Sequence, residues 1–157
     1  MGLERSVRRA LPALLFLGVA AAAQPAPVAV PASLEAAIRE GTTAYVRGEY
    51  RDAARILEQA LGPKLVAGAA DAAHEPVALS HLANLYRLQG RYAEAETAAR
   101  RAVARLEQVL GAHDPEVARE LSRLGSVLRA QGRYREAEAV LLDVLERLRP
   151  YGVDHAY

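Results

Sequence analysis

Four histidines, His74, His81, His113 and His155, are the side chains of this 157-residue chain best suited to acid–base or metal chemistry. Three of them, His74, His113 and His155, stand beside a glutamate or an aspartate. Such a pair serves metal binding or proton transfer only where further polar groups converge on it, and otherwise caps a helix or faces solvent. His81 lies within a helical pattern and faces either a groove or a neighbouring helix. Without cysteine there is no thiolate metal site, cysteine nucleophile or disulfide framework. There is also no HExxH, GxSxG or phosphate-cradling glycine loop. No catalytic residue, metal or cofactor is therefore expected. A histidine-using ligand- or metal-binding sensor, or an enzyme accessory, is the alternative reading. The formal charge of +1 is not the footprint of a nucleic-acid binder.

The remaining polar residues acquire meaning only from the elements that carry them. Gly48-Glu49-Tyr50, Gly90-Arg91-Tyr92 and Gly132-Arg133-Tyr134 recur at intervals of 42 residues, each followed by an alanine: Ala53, Ala95 and Ala137. The longer phrases LYRLQGRYAEAE (85–96) and VLRAQGRYREAE (127–138) extend the match. On either side of each glycine, apolar residues recur at three- and four-residue steps. Val117, Leu121, Leu124 and Leu128 mark one helix face; Tyr134, Ala137, Leu141, Val144, Leu145 and Leu148 mark the next. Both helices are amphipathic, so each pair must be buried against its neighbours. Small residues at 83, 95, 125 and 137 predict close crossings, and the tyrosine after each turn glycine is expected to fill the wedge between helices. Aromatic residues are only 5% and apolar residues 52% of the chain, which fits contacts made largely of alanine and leucine.

This pattern resembles the tetratricopeptide repeat family, in the 42-residue variety found in kinesin light chains. The family's ordered positions correspond here to Leu82, Ala83, Tyr86, Ala95 and Ala102, and then to Leu124, Gly125, Leu128, Ala137 and Val144. The resemblance implies an all-α fold, a right-handed superhelical stack of antiparallel helix pairs with about three repeats. It covers about residues 32–149: a degenerate first repeat at 33–73, a second at 74–114 and a third at 115–149. In the first repeat Glu40 and Ala44 depart from the pattern, and Gly62-Pro63 is expected to break the second helix, with a loop or short helix up to about Ala73. Pro76 predicts a late start for the next helix.

The resemblance also implies a role in binding proteins through the concave groove lined by the first helix of each pair. Its contact positions correspond to Thr42 and Tyr45, to Ser80, Asn84 and Arg87, and to Arg119, Ser122, Ser126 and Arg129. Asn84 is expected to donate to and accept from a peptide backbone. The arginines favour acidic side chains or a terminal carboxylate.

Both ends of the chain carry separate expectations. Residues 1–23 place Arg5, Arg8 and Arg9 before a short apolar run ending in alanines, the pattern of a secretory signal peptide. The run is interrupted by Pro12 and is shorter than the ~20 apolar residues of a membrane span. Cleavage after Ala23 removes three arginines and Glu4, leaving 17 basic and 18 acidic residues. Residues 24–32 read as a Pro/Ala-rich linker. The mature protein is thus expected in a bacterial periplasm or outside the cell, with no stable membrane span. At the other end, a tail at 150–157 follows the third repeat, and Leu141, Val144, Leu145 and Leu148 are expected to be partly uncovered, a surface for a partner or for self-association.

Overall fold

The computed structural model describes residues 31–62 and 69–152, with the side chains of 69–72 excepted. The expected signal segment, most of the linker and His155 lie outside the described residues. Among the described residues there are six α-helices, one short 3₁₀ turn and no strand. The helices are α1 (Leu34–Val46), α2 (Tyr50–Ala60), α3 (Ala69–Leu88), α4 (Tyr92–Leu110), α5 (Pro115–Ala130) and α6 (Tyr134–Leu148), and the 3₁₀ turn is Arg149–Tyr151. They form three antiparallel pairs. α3 touches both members of the first pair, while α4 packs on α5; α3 also meets α5, so that it lies between α1 and α5 along the stack. This is a helical-repeat solenoid of three units, with the first helices forming one layer.

Local sequence explains where these helices start and stop. Ser33 Oγ accepts from Ala36 N–H at 3.2 Å, and Asp114 Oδ1 accepts from Glu116 N–H at 2.8 Å with Pro115 at the first helical position. Both caps satisfy amide groups that have no partner inside the helix. Each first helix ends in the same way. Gly90 (φ 74°) donates to Arg87 O and Arg91 to Tyr86 O; Gly132 (φ 76°) donates to Arg129 O and Arg133 to Leu128 O. Gly48 and Glu49 repeat the arrangement after α1. This double backbone closure needs a left-handed residue, which is why glycine stands at the start of every turn.

Two departures from the sequence expectations concern the helix boundaries. α2 does end at Ala60, but α3 begins at Ala69, taking in residues that the spacing assigned to the first unit. Pro76 lies inside α3 rather than marking a late start. Alanine-rich residues upstream of it favour the helix. Glu75, 1% exposed, is held by the guanidinium groups of Arg101 and Arg105 from α4, the latter at 3.0 Å. That pairing anchors α3 at the proline.

The helix crossings are made of small residues. Ala83, Ala95 and Ala137 are buried. At Gly125 an added Cβ would lie 3.3 Å from Leu141 Cδ2, and at Gly41 3.3 Å from Leu57 Cγ. The tyrosines, by contrast, do not fill the wedge. Tyr50, Tyr92 and Tyr134 each open a second helix and are exposed, Tyr134 most of all; the Tyr50 ring packs on that of Tyr45 from α1, with centroids 5.4 Å apart. A different aromatic unites the core: Tyr86 packs against both the cluster formed by α1 to α3 and the cluster formed by α3 to α6.

Candidate functional site: a polar groove on the layer of first helices

The phrase Gln-Gly-Arg-Tyr does more than turn the chain. Gln89 Nε2 donates to the backbone carbonyl of Tyr50 at 2.9 Å, and Gln131 Nε2 donates to that of Tyr92 at 3.0 Å. Arg91 bridges Glu94 of its own helix and Glu58 of α2, at 2.6 and 3.3 Å. Arg133 likewise bridges Glu136 and Glu96 of α4. The Tyr86 hydroxyl donates to Glu58 at 2.7 Å, and the Arg91 guanidinium sits 4.2 Å from the Tyr86 ring centroid. Burial and this bond to a carboxylate raise the Tyr86 pKa, so the phenol stays protonated. These clamps fix the angle between successive pairs and thereby the shape of the groove.

The groove contains a cavity of about 670 Å³, walled by α1, α3 and α5 with Leu57 of α2 at its floor. Thr42, Tyr45, Ser80, Asn84, Arg87 and Ser126, all expected from the family resemblance, line it together. The remaining three positions lie elsewhere. Arg119 is paired with Glu116 and borders a separate hollow of about 140 Å³. Ser122 donates to Ala118 O at 3.0 Å within its own helix. Arg129 faces a third hollow, of about 250 Å³, on α6. Three positions on one helix rotate away from a single cavity because α5 is the last first helix of the described stack and has a neighbour of that layer on one side only.

Several residues acquire roles that the spacing did not indicate. Ser80 is buried, and its hydroxyl donates at 2.8 Å to Oε2 of Glu120, a carboxylate only 2% exposed. Arg123 Nη1 donates to the same oxygen at 2.9 Å and also reaches Ser80 Oγ. Ser80 is therefore first a structural link between α3 and α5. Glu120 Oε1 has no hydrogen-bond partner among the described residues. Arg123 and His81 both line the cavity. They occupy equivalent places, nine residues before Gly132 and Gly90, and that shared register was the available signal for Arg123. Partial burial first, and then the positive charge of Arg123, lower the His81 pKa and favour its neutral form.

The balance of charge in the cavity is set by Arg87. Its Nη2 donates to Asn84 Oδ1 at 2.9 Å, and no carboxylate among the described residues pairs with it. Asn84 consequently has its acceptor engaged and its amide N–H₂ available, half of the donor-and-acceptor role expected for it. The cavity offers a guanidinium and an amide donor side by side. Among the described residues no cluster of three or more histidine, aspartate or glutamate side chains is placed to hold a metal ion, and no helix is long and apolar enough to cross a membrane.

Residues 75–149, a little under half of the chain, match the family model described as tetratricopeptide repeat. The match spans the second and third helix pairs, and the first pair stacks on them outside it. No curated protein matches the chain.

Proposed function

We propose that this protein is a non-catalytic scaffold that captures an acidic segment of another protein in the groove of its first helices. Tetratricopeptide repeats mediate protein–protein interaction, and the 42-residue period supports the kinesin light chain-like variety. The observation that carries the reading is the pairing of Arg87 with Asn84 at the cavity wall. A guanidinium without a carboxylate partner favours an acidic side chain or a terminal carboxylate through charge-assisted bonds, and the neighbouring amide adds a donor for a peptide carbonyl. Tyr45 and Val46, the exposed apolar side chains lining the same cavity, take the non-polar part of such a segment. The open face of α6 supplies a second contact surface, for another protein or for self-association, and the charges at the two ends of the stack discriminate between these. Export to the periplasm or the cell exterior rests on residues 1–23.

The test is fluorescence anisotropy of the full chain without residues 1–23 against a labelled acidic peptide ending in a free carboxylate. Binding is expected to weaken at least tenfold on Arg87→Glu and to fall steeply with added salt. Binding that ignores Arg87→Glu and Asn84→Ala removes the groove from the reading. Export is tested separately by fractionating cells that express the full chain: a product lacking residues 1–23 belongs outside the cytoplasm, and an intact cytoplasmic product contradicts export.

A further inference from the structure

The two joints inside the stack share one device, and α6 carries its unused half. At each joint a glutamine reaches the backbone carbonyl of the tyrosine opening the previous second helix, and an arginine two residues on reaches a glutamate of that helix. Forty-two residues after Tyr92 and Glu96 stand Tyr134 and Glu138. Tyr134 is 69% exposed. The Glu138 carboxylate takes part in no ion pair and accepts no hydrogen bond from a side chain among the described residues. Where Arg100 helps hold Glu96 from within α4, at 2.8 Å, the equivalent residue of α6 is Leu142, 60% exposed. The α6 hollow therefore joins leucine side chains to one unsatisfied carboxylate and one reachable carbonyl. Val144, expected to be partly uncovered, is buried instead; Leu141, Leu145 and Leu148 are partly uncovered as expected, and Leu142 is exposed beside them.

We propose that this face docks an amphipathic helix of another protein that ends in a Gln-x-Arg turn. The helix lays its apolar side on Leu141 and Leu142, its arginine pairs with Glu138, and its glutamine bonds the Tyr134 carbonyl. The joint between α4 and α5 supplies the template for each contact; at the earlier joint the glutamine bond is the same, while Arg91 reaches Glu58, eight residues after Tyr50 instead of four. A second copy added in the register of the stack does not fit, because the first turn reads Arg47-Gly48-Glu49. It sets Glu49 against Glu138, a like-charge contact in place of an ion pair. This inference rests on the reading of α6 as a contact surface and is independent of the groove.

The probe is a labelled peptide with the sequence of residues 115–135, the segment that seats on α4 within the chain, titrated into the full chain without residues 1–23. Saturable binding is expected, weakened at least tenfold by Arg133→Glu in the peptide and recovered when that peptide meets the Glu138→Arg protein. Leu142→Asp should abolish binding, whereas Arg87→Glu should leave it unchanged and so separate this test from that of the groove. Absence of saturable binding, indifference to both charge changes, or binding that survives Leu142→Asp because the peptide has displaced α5 overturns the proposal. Oligomers that grow with concentration and dissolve on Leu142→Asp assign the face to a second copy instead.

Discussion

Gln131 donates its side-chain amide to the backbone carbonyl of Tyr92 across the joint between the second and third helix pairs, at 3.0 Å. Gln89 and Tyr50 do the same one joint earlier, at 2.9 Å. The first pair has no preceding partner among the described residues, and at the equivalent position it carries Arg47.

Removal of this bond leaves the Tyr92 carbonyl near water rather than stranded in a core, so the cost is modest. Gln131→Ala also removes the donation to the Glu96 carboxylate at 3.0 Å, and should lower stability by about 2 kcal/mol for the two bonds together. Arg47→Gln should change it by less than about 0.5 kcal/mol, as surface substitutions usually do. Urea unfolding of the two variants beside the parent chain checks the contrast.

The crossings respond to volume according to what each added atom meets. Ala95 is fully buried, and Ala95→Leu should cost about 1–3 kcal/mol by overpacking. Gly125→Ala is expected to be close to neutral. Its new Cβ meets the tip of Leu141 at 3.3 Å, a side chain with solvent on one side, while a gain in helix propensity of about 1 kcal/mol offsets the crowding. Thermal unfolding should therefore rank Ala95→Leu well below Gly125→Ala.

Ser80 should behave as a structural residue before it behaves as a groove contact. Ser80→Ala removes one of the two donors to the buried Glu120 carboxylate and should destabilise by about 1–3 kcal/mol, the cost of leaving a buried acceptor under-satisfied. Asn84→Ala, on a partly exposed side chain, should affect peptide binding with little change in the unfolding midpoint. The opposite order in a denaturant titration would return Ser80 to a purely ligand-facing role.

Acid should weaken the joint between α4 and α5–α6. Partial burial works against ionisation of Glu96, but hydrogen bonds from Arg100, Gln131 and Arg133 outweigh it and hold its pKa below the ordinary value. With the folded pKa below the unfolded one, near 4.3, this stabilisation is complete above about pH 4.3 and is lost as pH falls through the folded value. Glu136, bonded to Arg133, is shifted in the same direction. Glu96→Gln should flatten the decline in stability measured by chemical denaturation between about pH 5 and pH 3; an unchanged slope would remove Glu96 from the acid response.

Much of this arrangement was legible in the spacing. The 42-residue recurrence of Gly-x-Tyr implied three helix pairs, and the alternation of apolar residues implied their inner faces, because local closure at glycine and burial of a helical stripe are consequences of sequence alone. The family resemblance, carried over in that register, named nine groove residues, of which six line one cavity. The spacing misplaced the tyrosines, since whether a ring enters a crossing depends on the distance between helix axes.

The sequence by itself determined which residues share a helix face and where each helix must turn. Only the tertiary structure decided that Ser80 is consumed by Glu120, that Arg119 is paired while Arg87 lacks a carboxylate, and that Glu138 repeats Glu96 without its partner. Residues 40 positions apart meet at distances fixed by how two helices lean on a third, and a hydrogen bond that weakens within half an ångström is more sensitive to that tilt than any periodicity can record.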